Sequence, residues 1–259
     1  MTLSSVNGEL LPVAEATIPV TDEGLLRGDG VFEVMRLYEG RPFALAEHLD
    51  RLARSAMNLR LTVDLDVLRA DVVRLLEAAD AADGLLRVIV TRGGARLALI
   101  EPLAEHPAGL RLGYVTYAPT RVLDQVKSLS YAGNMLATRL ARERGFDEAL
   151  LVTPHGRVLE GPTSSFFWVR DGRLLTPPLE DHILASITRA LVIELTGAEE
   201  ATCTGEDIET AEEAFLASTT REVAPIVAIE SRELPTSGPV TTQAARLVRE
   251  RIEAELDGT

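Results

Sequence analysis

The sequence has 259 residues, of which 46% are hydrophobic and 25% are charged, a composition typical of a globular protein and not of a disordered one. Its 26 Lys and Arg against 40 Asp and Glu give a formal net charge of −14, which argues against a phosphate-backbone partner. We therefore expect no nucleic-acid partner, and a chain long enough for one large domain or two smaller ones.

Compartment and metal content are also bounded by the sequence. No uninterrupted apolar run reaches membrane-spanning length, and the first residues lack the basic and apolar regions of a signal peptide. These features predict a cytoplasmic protein without a membrane partner. The single cysteine, Cys203, leaves no intrachain disulfide and no multi-cysteine metal site, so no metal is predicted.

The first half of the chain alternates turn signals with strand and helix patterns. Asn7 and Gly8, between apolar positions, are typical of a hairpin, with a loose N-terminal turn as the alternative. Apolar residues every three or four positions predict amphipathic helices, and alternation predicts strands. The predicted elements are a strand over 30–38, helices over 45–59 and 66–79, and strands over 85–92 and 110–117.

The second half begins with a proline-containing link and continues in the same style. We predict a first domain over 1–117, a linker over 118–123 and a second domain over 124–259. The helical spacing of apolar residues after Tyr131 ends near Gly145, a typical stop. The further predictions are strands over 147–152 and 173–176, a helix starting at 186–188, a strand, bend and strand over 214–226, and a helix over 238–256.

Lys127 is the only lysine in the sequence, and the other 25 basic residues are arginines. Arginine cannot replace lysine where a primary amine must lose its proton, because guanidinium stays protonated near neutral pH. Lys127 is therefore a candidate nucleophile that can condense with a carbonyl group. The alternative is a surface lysine left by chance.

Several motifs in a fixed order resemble those of the fold-type IV pyridoxal-phosphate enzymes. They are G-D-G-V-F-E-V-M-R from Gly28, K-S-L-S-Y from Lys127, G-F-D-E-A-L-L from Gly145, V-L-E-G-P-T-S-S-F-F from Val158, L-L-T-P-P-L from Leu174 and H-I-L-A-S-I-T-R from His182. The family includes branched-chain aminotransferases, D-amino-acid aminotransferases and aminodeoxychorismate lyases. The resemblance implies an α+β fold with a small α/β domain, a larger domain with a β-barrel-like core and the cofactor between them, in a homodimer.

The resemblance also implies which residues hold pyridoxal 5′-phosphate. Lys127 would form the internal aldimine, Tyr131 would bond the ring oxygen, and Glu160 would keep the ring nitrogen protonated. Arg51, in an H-x-x-R-L pattern, resembles the arginine that grips the phosphate, although the amphipathic pattern alone places it on the solvated face of its helix. The helix start and the hydroxyl-rich bend would complete the phosphate site through Ile187, Thr188, Ser218 and Thr219.

Three residues are candidates for the substrate pocket. Phe32 would form a wall and Thr220 would approach the substrate carboxylate, while plain core packing is the alternative for Phe32. Arg96 is a candidate carboxylate partner, and a solvated surface role is the alternative for both Arg92 and Arg96. The family pattern is altered to serine in three places, each of which remains small: Ser130, Ser165 and Ser186.

The leading functional hypothesis is an aminotransferase that moves an amino group between an amino acid and a 2-oxo acid. The runner-up is a lyase of the aminodeoxychorismate type that eliminates pyruvate through the same cofactor. A third hypothesis, from another class, is a noncatalytic binding or scaffold protein. Retention of Lys127, Tyr131 and Glu160 together argues against the third, because a scaffold needs none of them.

Overall fold

The computed structural model describes residues 3–80, 82–235 and 237–258. The chain divides into two compact units, and unit 1 comprises Met1–Ala104 together with Gln125–Tyr131. Unit 2 comprises Glu105–Asp124 together with Ala132–Thr259. The short segment that carries Lys127 therefore belongs to unit 1, although the chain on both sides of it belongs to unit 2.

Unit 1 is built on one antiparallel sheet whose strand order is β2-β1-β6-β5-β3-β4. A 3₁₀ helix over Val13–Glu15 follows the first hairpin, whose turn residues Asn7 and Gly8 have φ of 52° and 89°. These positive φ values are what an Asn-Gly turn supplies, so the predicted hairpin is confirmed. The elements are β1 (Leu3–Val6), β2 (Glu9–Pro12), α1 (Glu23–Arg27), β3 (Gly30–Tyr38), β4 (Arg41–Pro42), α2 (Leu45–Asn58), α3 (Leu65–Ala78), β5 (Gly84–Thr91) and β6 (Arg96–Glu101).

One face of this sheet packs on α2 and α3. Val31 and Met35 of β3 join Leu49 of α2 and Val72 of α3 in a core from which solvent is excluded. Because side chains alternate along a strand, Phe32 projects from the opposite face. The strand β3 therefore presents side chains to both faces of the sheet.

The segment 127–131 runs along the start of β3 in antiparallel register. The Phe32 N–H donates to the Lys127 carbonyl at 3.1 Å, and the Leu129 N–H donates to the Gly30 carbonyl at 2.9 Å. A Cβ at Gly30 would lie 2.6 Å from the Val90 carbonyl oxygen and 2.7 Å from Leu129 Cδ1. Glycine is therefore required where the three chain segments meet.

Unit 2 is built on a larger sheet of mixed direction that curls into a half-barrel. The strand order is β12-β11-β10-β14-β15-β7-β8-β9-β13, with β16 paired to β15. Short 3₁₀ helices cover Arg121–Leu123 and Leu179–Asp181. The elements are β7 (Leu110–Thr116), α4 (Ala132–Glu143), β8 (Glu148–Val152), β9 (Arg157–Val158), β10 (Ser165–Arg170), β11 (Arg173–Thr176), α5 (Ile187–Thr196), β12 (Glu199–Glu200), β13 (Cys203–Thr204), α6 (Gly205–Glu209), β14 (Glu213–Ser218), β15 (Glu222–Ile229), β16 (Arg232–Glu233) and α7 (Pro239–Asp257).

Side chains of this sheet form the largest hydrophobic cluster described in unit 2. Trp168 and Phe166 stack at 5.9 Å between ring centres and pack with Leu150, Leu216 and the buried thiol of Cys203. Burial of these large side chains supplies the main stabilisation of the unit. In the described part of the chain, no helix is both long and apolar enough to cross a membrane.

The compact units differ from the domain boundaries expected from sequence. The strand β7, which the sequence places in the first domain, pairs in parallel with β8 and β15 of unit 2. Segment 125–131, which the sequence places in the second domain, pairs with β3 of unit 1. Both differences arise from long-range strand pairing, which local composition does not encode.

Candidate active site

Lys127 lies against two aromatic rings in unit 1. Its Nζ is 4.6 Å from the centre of the Phe32 ring and 5.8 Å from that of Tyr131. The two rings meet edge to face at 5.2 Å. The structure thus brings together three residues that the sequence proposed for the site. The Lys127 amine contacts both rings through cation–π interactions.

The backbone of Lys127 is also fixed. Its carbonyl accepts from Phe32, and its N–H donates to the hydroxyl of Ser55 at 3.1 Å. Ser55 is fully buried on α2, and sequence reasoning missed it because one serine in an amphipathic helix carries no distinctive signal. With His48 and Arg51 it forms a row at helical spacing on one face of α2.

Arg51 is buried and engaged by a carboxylate. Its Nε donates to Glu33 Oε1 at 2.6 Å and its Nη2 to Oε2 at 2.7 Å, while His48 Nδ1 contacts the same Oε2 at 2.7 Å. All three side chains are less than a tenth exposed, so the solvated-face interpretation of Arg51 is wrong. Glu33 was missed, although an acid at an inward-facing position of a strand is a sequence signal for a buried partner.

The electrostatics of this cluster keep Glu33 ionised. Burial raises the pKa of Glu33, but the hydrogen bonds from Arg51 and His48 outweigh it and hold the pKa at about 2. Burial lowers the pKa of His48, and the charges of Arg51 and Lys127 lower it further against the opposing effect of Glu33. His48 is therefore a neutral hydrogen-bonding residue near neutral pH.

Arg96 is not brought together with Phe32. Register pairs Phe32 with Ile89 and Ile89 with Leu97, so Arg96, one residue earlier, projects from the opposite face of the sheet. There its Nε donates to Asp71 of α3 at 3.0 Å. Arg87, on the face of Phe32, lies 5.8 Å from that ring and was missed because it alternates with apolar residues like any edge-facing arginine.

Arg92 has a structural role in unit 1. Its Nε donates to Asp29 at 2.5 Å, and its terminal nitrogens donate to the carbonyls of Leu59 and Arg60 at 2.7 and 3.2 Å. These carbonyls follow the end of α2, so the guanidinium completes the helix terminus. The Arg92 side chain is 38% exposed, so it lies at the surface as the solvated-surface alternative expected, but its partners also tie the loop before β3 to α2.

Glu160 is oriented by a backbone donor in unit 2. Its Oε1 accepts from the Leu184 N–H at 3.1 Å, and its carbonyl accepts from the Leu151 N–H at 2.9 Å. Burial raises the pKa of Tyr117, and the negative charge of Glu160 raises it further. Tyr117 therefore lies within the electrostatic reach of Glu160, which the sequence did not indicate because the two are far apart along the chain.

The start of α5 is a donor-rich terminus. Ser186 is the N-cap, and its hydroxyl accepts from the Arg189 N–H at 3.3 Å, as expected for ordinary capping. The N–H groups of Ile187 and Thr188 have no hydrogen-bond partner within residues 3–80, 82–235 and 237–258. Unpaired N–H groups at a helix start fit an anion such as a phosphate.

The β14–β15 turn supplies a second set of donors in unit 2. Ser218 ends β14, and its hydroxyl lies 3.3 Å from that of Thr220, with Thr219 between them. The strands pair in register up to Ser218 and Glu222, which fixes the turn. This donor set fits the same anionic ligand as the start of α5, since hydroxyl and backbone donors bind phosphate oxygens well.

The three serine departures are accommodated. Ser130 donates to the Gly28 carbonyl at 3.2 Å, in contact with a glycine whose φ is 69°. Ser165 is buried in β10 opposite Ala217, and Ser186 caps α5. The elements that carry the predicted site residues are therefore formed in spite of these substitutions.

The family is shown by comparison with known proteins. The model of the amino-transferase class IV family matches residues 30–229. A Methanocaldococcus jannaschii protein assigned as a branched-chain-amino-acid aminotransferase is 36% identical over 252 residues, covering 88% of each chain. A D-alanine aminotransferase of Staphylococcus haemolyticus is 31% identical, covering 98% of this chain and 99% of its own.

Solved structures agree with the sequence comparisons. A fold IV transaminase of Curtobacterium pusillum has a TM-score of 0.85 at 30% identity, covering 95% of this chain and 98% of that one. A hypothetical aminotransferase of Mycobacterium tuberculosis in a PLP-bound form has a TM-score of 0.89 at 27% identity, covering 98% and 100%.

This chain belongs to the class IV aminotransferases. The predicted family, fold-type IV architecture, aminotransferase activity and pyridoxal 5′-phosphate cofactor are confirmed, and the lyase alternative is not favoured.

Proposed function

We propose that this chain holds pyridoxal 5′-phosphate through Lys127 for transamination between an amino acid and a 2-oxo acid. The observation that carries the assignment is the placement of the only lysine, whose amine lies on the Phe32 ring and whose backbone is fixed on both sides. Pyridoxal 5′-phosphate, when bound, supplies an aldehyde that condenses with amines and a ring that accepts electrons as the α-proton leaves.

In this proposal each polar group has a distinct task. Lys127 Nζ would hold the cofactor and, as a deprotonatable amine, would take and return the substrate proton. The Glu160 carboxylate stabilises a proton on the ring nitrogen. The phosphate is bound by Ile187 and Thr188 at the start of α5 and by Ser218 and Thr219 of the turn, through the donors described above.

Arg51 has a more limited part than the resemblance implies. Its Nε and Nη2 already donate to Glu33, and charge-assisted bidentate pairs of this kind are among the stronger hydrogen bonds. We therefore propose that Arg51 contributes mainly positive charge, while the donors of α5 and of the β14–β15 turn bind the phosphate.

Phe32, Tyr131 and Thr220 are the proposed neighbours of the substrate. Phe32 and Tyr131 surround the Lys127 amine, and Thr220 follows the phosphate-binding residues of the turn. We withdraw Arg96 from this set, because Asp71 binds it on the far face of the sheet. The relatives are named as a branched-chain-amino-acid aminotransferase and a D-alanine aminotransferase, so both enantiomers belong in the substrate test.

Reconstitution with pyridoxal 5′-phosphate tests the proposal directly. Purified protein should turn yellow, and borohydride should fix one cofactor per chain to Lys127, the only side-chain amine, as read by peptide mass spectrometry. Lys127→Arg is the matched control, because it keeps the positive charge but not the deprotonatable amine. A Lys127→Arg protein that still retains the cofactor after borohydride would refute the assignment.

Substrate class follows from half-reactions with single amino acids. A panel of L- and D-amino acids should convert the yellow form to the colourless pyridoxamine form without a 2-oxo acid. Return of the colour on adding a 2-oxo acid completes the transamination. Release of pyruvate with no such conversion would instead indicate the lyase reaction.

A further inference from the structure

The β14–β15 turn contains a charge that the proposed phosphate contacts do not use. Arg221 directly follows Thr219 and Thr220, and its N–H donates to the Ser218 carbonyl at 3.3 Å. Its side chain is only 11% exposed, so the guanidinium lies within unit 2 beside the turn. A turn of this kind needs no cation for its backbone geometry.

A buried carboxylate neutralises this guanidinium. Arg221 Nη1 forms an ion pair with Glu148 of β8, whose side chain is 3% exposed, and lies 3.4 Å from the hydroxyl of Ser164. Thr163 Oγ1 lies 3.4 Å from the other Glu148 oxygen. The pair therefore joins the turn to the loop that follows Glu160, within a single unit.

The pair is expensive to bury and is not explained by stability alone. Moving two charges out of water carries a large desolvation penalty, and well-packed apolar residues of similar volume would often be at least as stabilising. A buried ion pair is therefore weak evidence of stabilisation. Among the described residues, Arg221 Nε is buried and has no hydrogen-bond partner. Stabilisation alone therefore does not account for the pair.

We propose that the Glu148–Arg221 pair sets the anion affinity of the β14–β15 turn. Glu148 cancels the charge of Arg221, so the turn binds phosphate and substrate carboxylate through hydroxyl and N–H donors without an added cation. This inference rests on the proposed function, because the anions concerned are the cofactor phosphate and the 2-oxo acid. A neutral turn holds these anions and still releases the product carboxylate.

A nearby histidine offers an independent report on the charge of this pair. Burial lowers the pKa of His106, and the positive charges of Arg221 and Arg142 lower it further. The His106 imidazole can be followed by NMR in the protein without cofactor or substrate. It therefore tests the electrostatics separately from binding and activity.

The two single variants should change the affinity for the phosphate in opposite directions, and the double variant should restore it. Glu148→Gln leaves Arg221 unneutralised and should tighten pyridoxal 5′-phosphate relative to pyridoxal, which lacks the phosphate, by about threefold to tenfold. Arg221→Met leaves a buried negative charge and should weaken the same ratio by about as much. The double variant should return the ratio to within about twofold of wild type.

The KM for a 2-oxo acid should follow the same order, falling in Glu148→Gln and rising in Arg221→Met. The His106 pKa should fall in Glu148→Gln and rise in Arg221→Met. Both single variants should lose thermal stability, which makes stability alone a poor guide. A purely structural pair would weaken phosphate binding in both single variants.

Arg170→Met is the matched control. Arg170 pairs with Asp207 and lies at the end of β10 opposite to Ser165, which pairs with Ala217 near the turn. Its removal should leave both the ratio and the His106 pKa at wild-type values. Failure of wild-type protein to bind pyridoxal 5′-phosphate would refute the proposed function, whereas same-sign changes in a yellow enzyme would refute only this inference.

Discussion

Glu33 and Arg51 form a two-pronged ion pair inside unit 1, with N–O distances of 2.6 and 2.7 Å. Glu33 lies on β3, three residues after Gly30, and Arg51 lies in the middle of α2. His48 completes the cluster on the same carboxylate oxygen. The buried Glu33 carboxylate is stabilised in its ionised form by Arg51 and His48, so the stability of the fold depends on pH in the acid range.

We expect stability to fall with decreasing pH in two steps. The folded pKa of His48 lies below its ordinary 6.5, so protonation favours the unfolded chain and stability declines as pH falls through 6.5. The pKa of Glu33 falls from 4.5 to about 2 on folding. Its contribution to the free energy of unfolding, about 3 kcal/mol, is therefore lost as the pH falls from 4.5 towards 2. Urea unfolding at a series of pH values measures both steps.

His48→Gln and Glu33→Gln assign these steps. The first should remove the slope near pH 6.5, and the second the slope below 4.5, while lowering stability at neutral pH because Arg51 loses its partner. An unchanged acid profile in both variants would contradict the assignment.

Ser55→Ala should make the Lys127 segment more mobile. Its buried hydroxyl accepts the Lys127 N–H, and loss of the acceptor costs about 1–3 kcal/mol. Acylation of Lys127 by an amine-reactive reagent, measured by mass spectrometry, should become several times faster than in the wild-type protein. Ser5→Ala is the control, since Ser5 is equally buried and its hydroxyl has no partner among the described residues; equal acylation rates in both variants would oppose the prediction.

Glu213 of β14 caps the last helix, α7. Its carboxylate accepts from the N–H groups of Val240 and Thr241 at 3.2 and 2.8 Å. Glu213→Ala should lower stability by about 1–2 kcal/mol, because a carboxylate at a helix start is lost. Thermal unfolding of the variant measures the loss.

Gly238→Ala provides a coupled test of the same contact. Its Cβ would lie 2.0 Å from Glu213 Cδ, so the single substitution should be the more damaging one. Combining it with Glu213→Ala removes the obstacle, and the double variant should be more stable than the sum of the two losses predicts. Strict additivity would show that the two residues do not meet.

The homodimer remains a prediction, and α4 offers a place to test it. Leu136 and Leu140 are 49% and 40% exposed and lie four residues apart on one face of that helix. Light scattering should give a molar mass of two chains for the wild-type protein. The double variant Leu136→Glu with Leu140→Glu should reduce this mass to that of one chain. Val73→Glu on α3, at 40% exposure, is the control and should leave the mass unchanged.

Long, periodic elements were predictable from the sequence. Helices α2, α3 and α7 begin and end within about two residues of their expected bounds, and α5 begins where its start was expected, because capping residues and apolar periodicity act locally. The short strands β4, β9, β12 and β16 were not predicted. Two residues carry no periodicity, and these strands exist only because partners from distant sequence lie beside them.

The candidate site was predictable only in part, for the same reason. Lys127 was found by its chemistry, and its placement against Phe32 and Tyr131 was expected in part from the family resemblance. The partners that hold it and its neighbours, Glu33 and Ser55, come from a strand and a helix far along the chain. Charge pattern along α2 placed Arg51 in water, because a single-helix pattern contains no information about an acid on the facing strand.

The lone amine has a practical consequence for anyone handling this enzyme. Ordinary coupling through lysine, which decorates the outside of most proteins, has here a single side-chain target, next to Phe32. Immobilisation or dye attachment by that route would disable the molecule while leaving its exterior bare. Attachment through solvent-exposed acidic side chains would spare it.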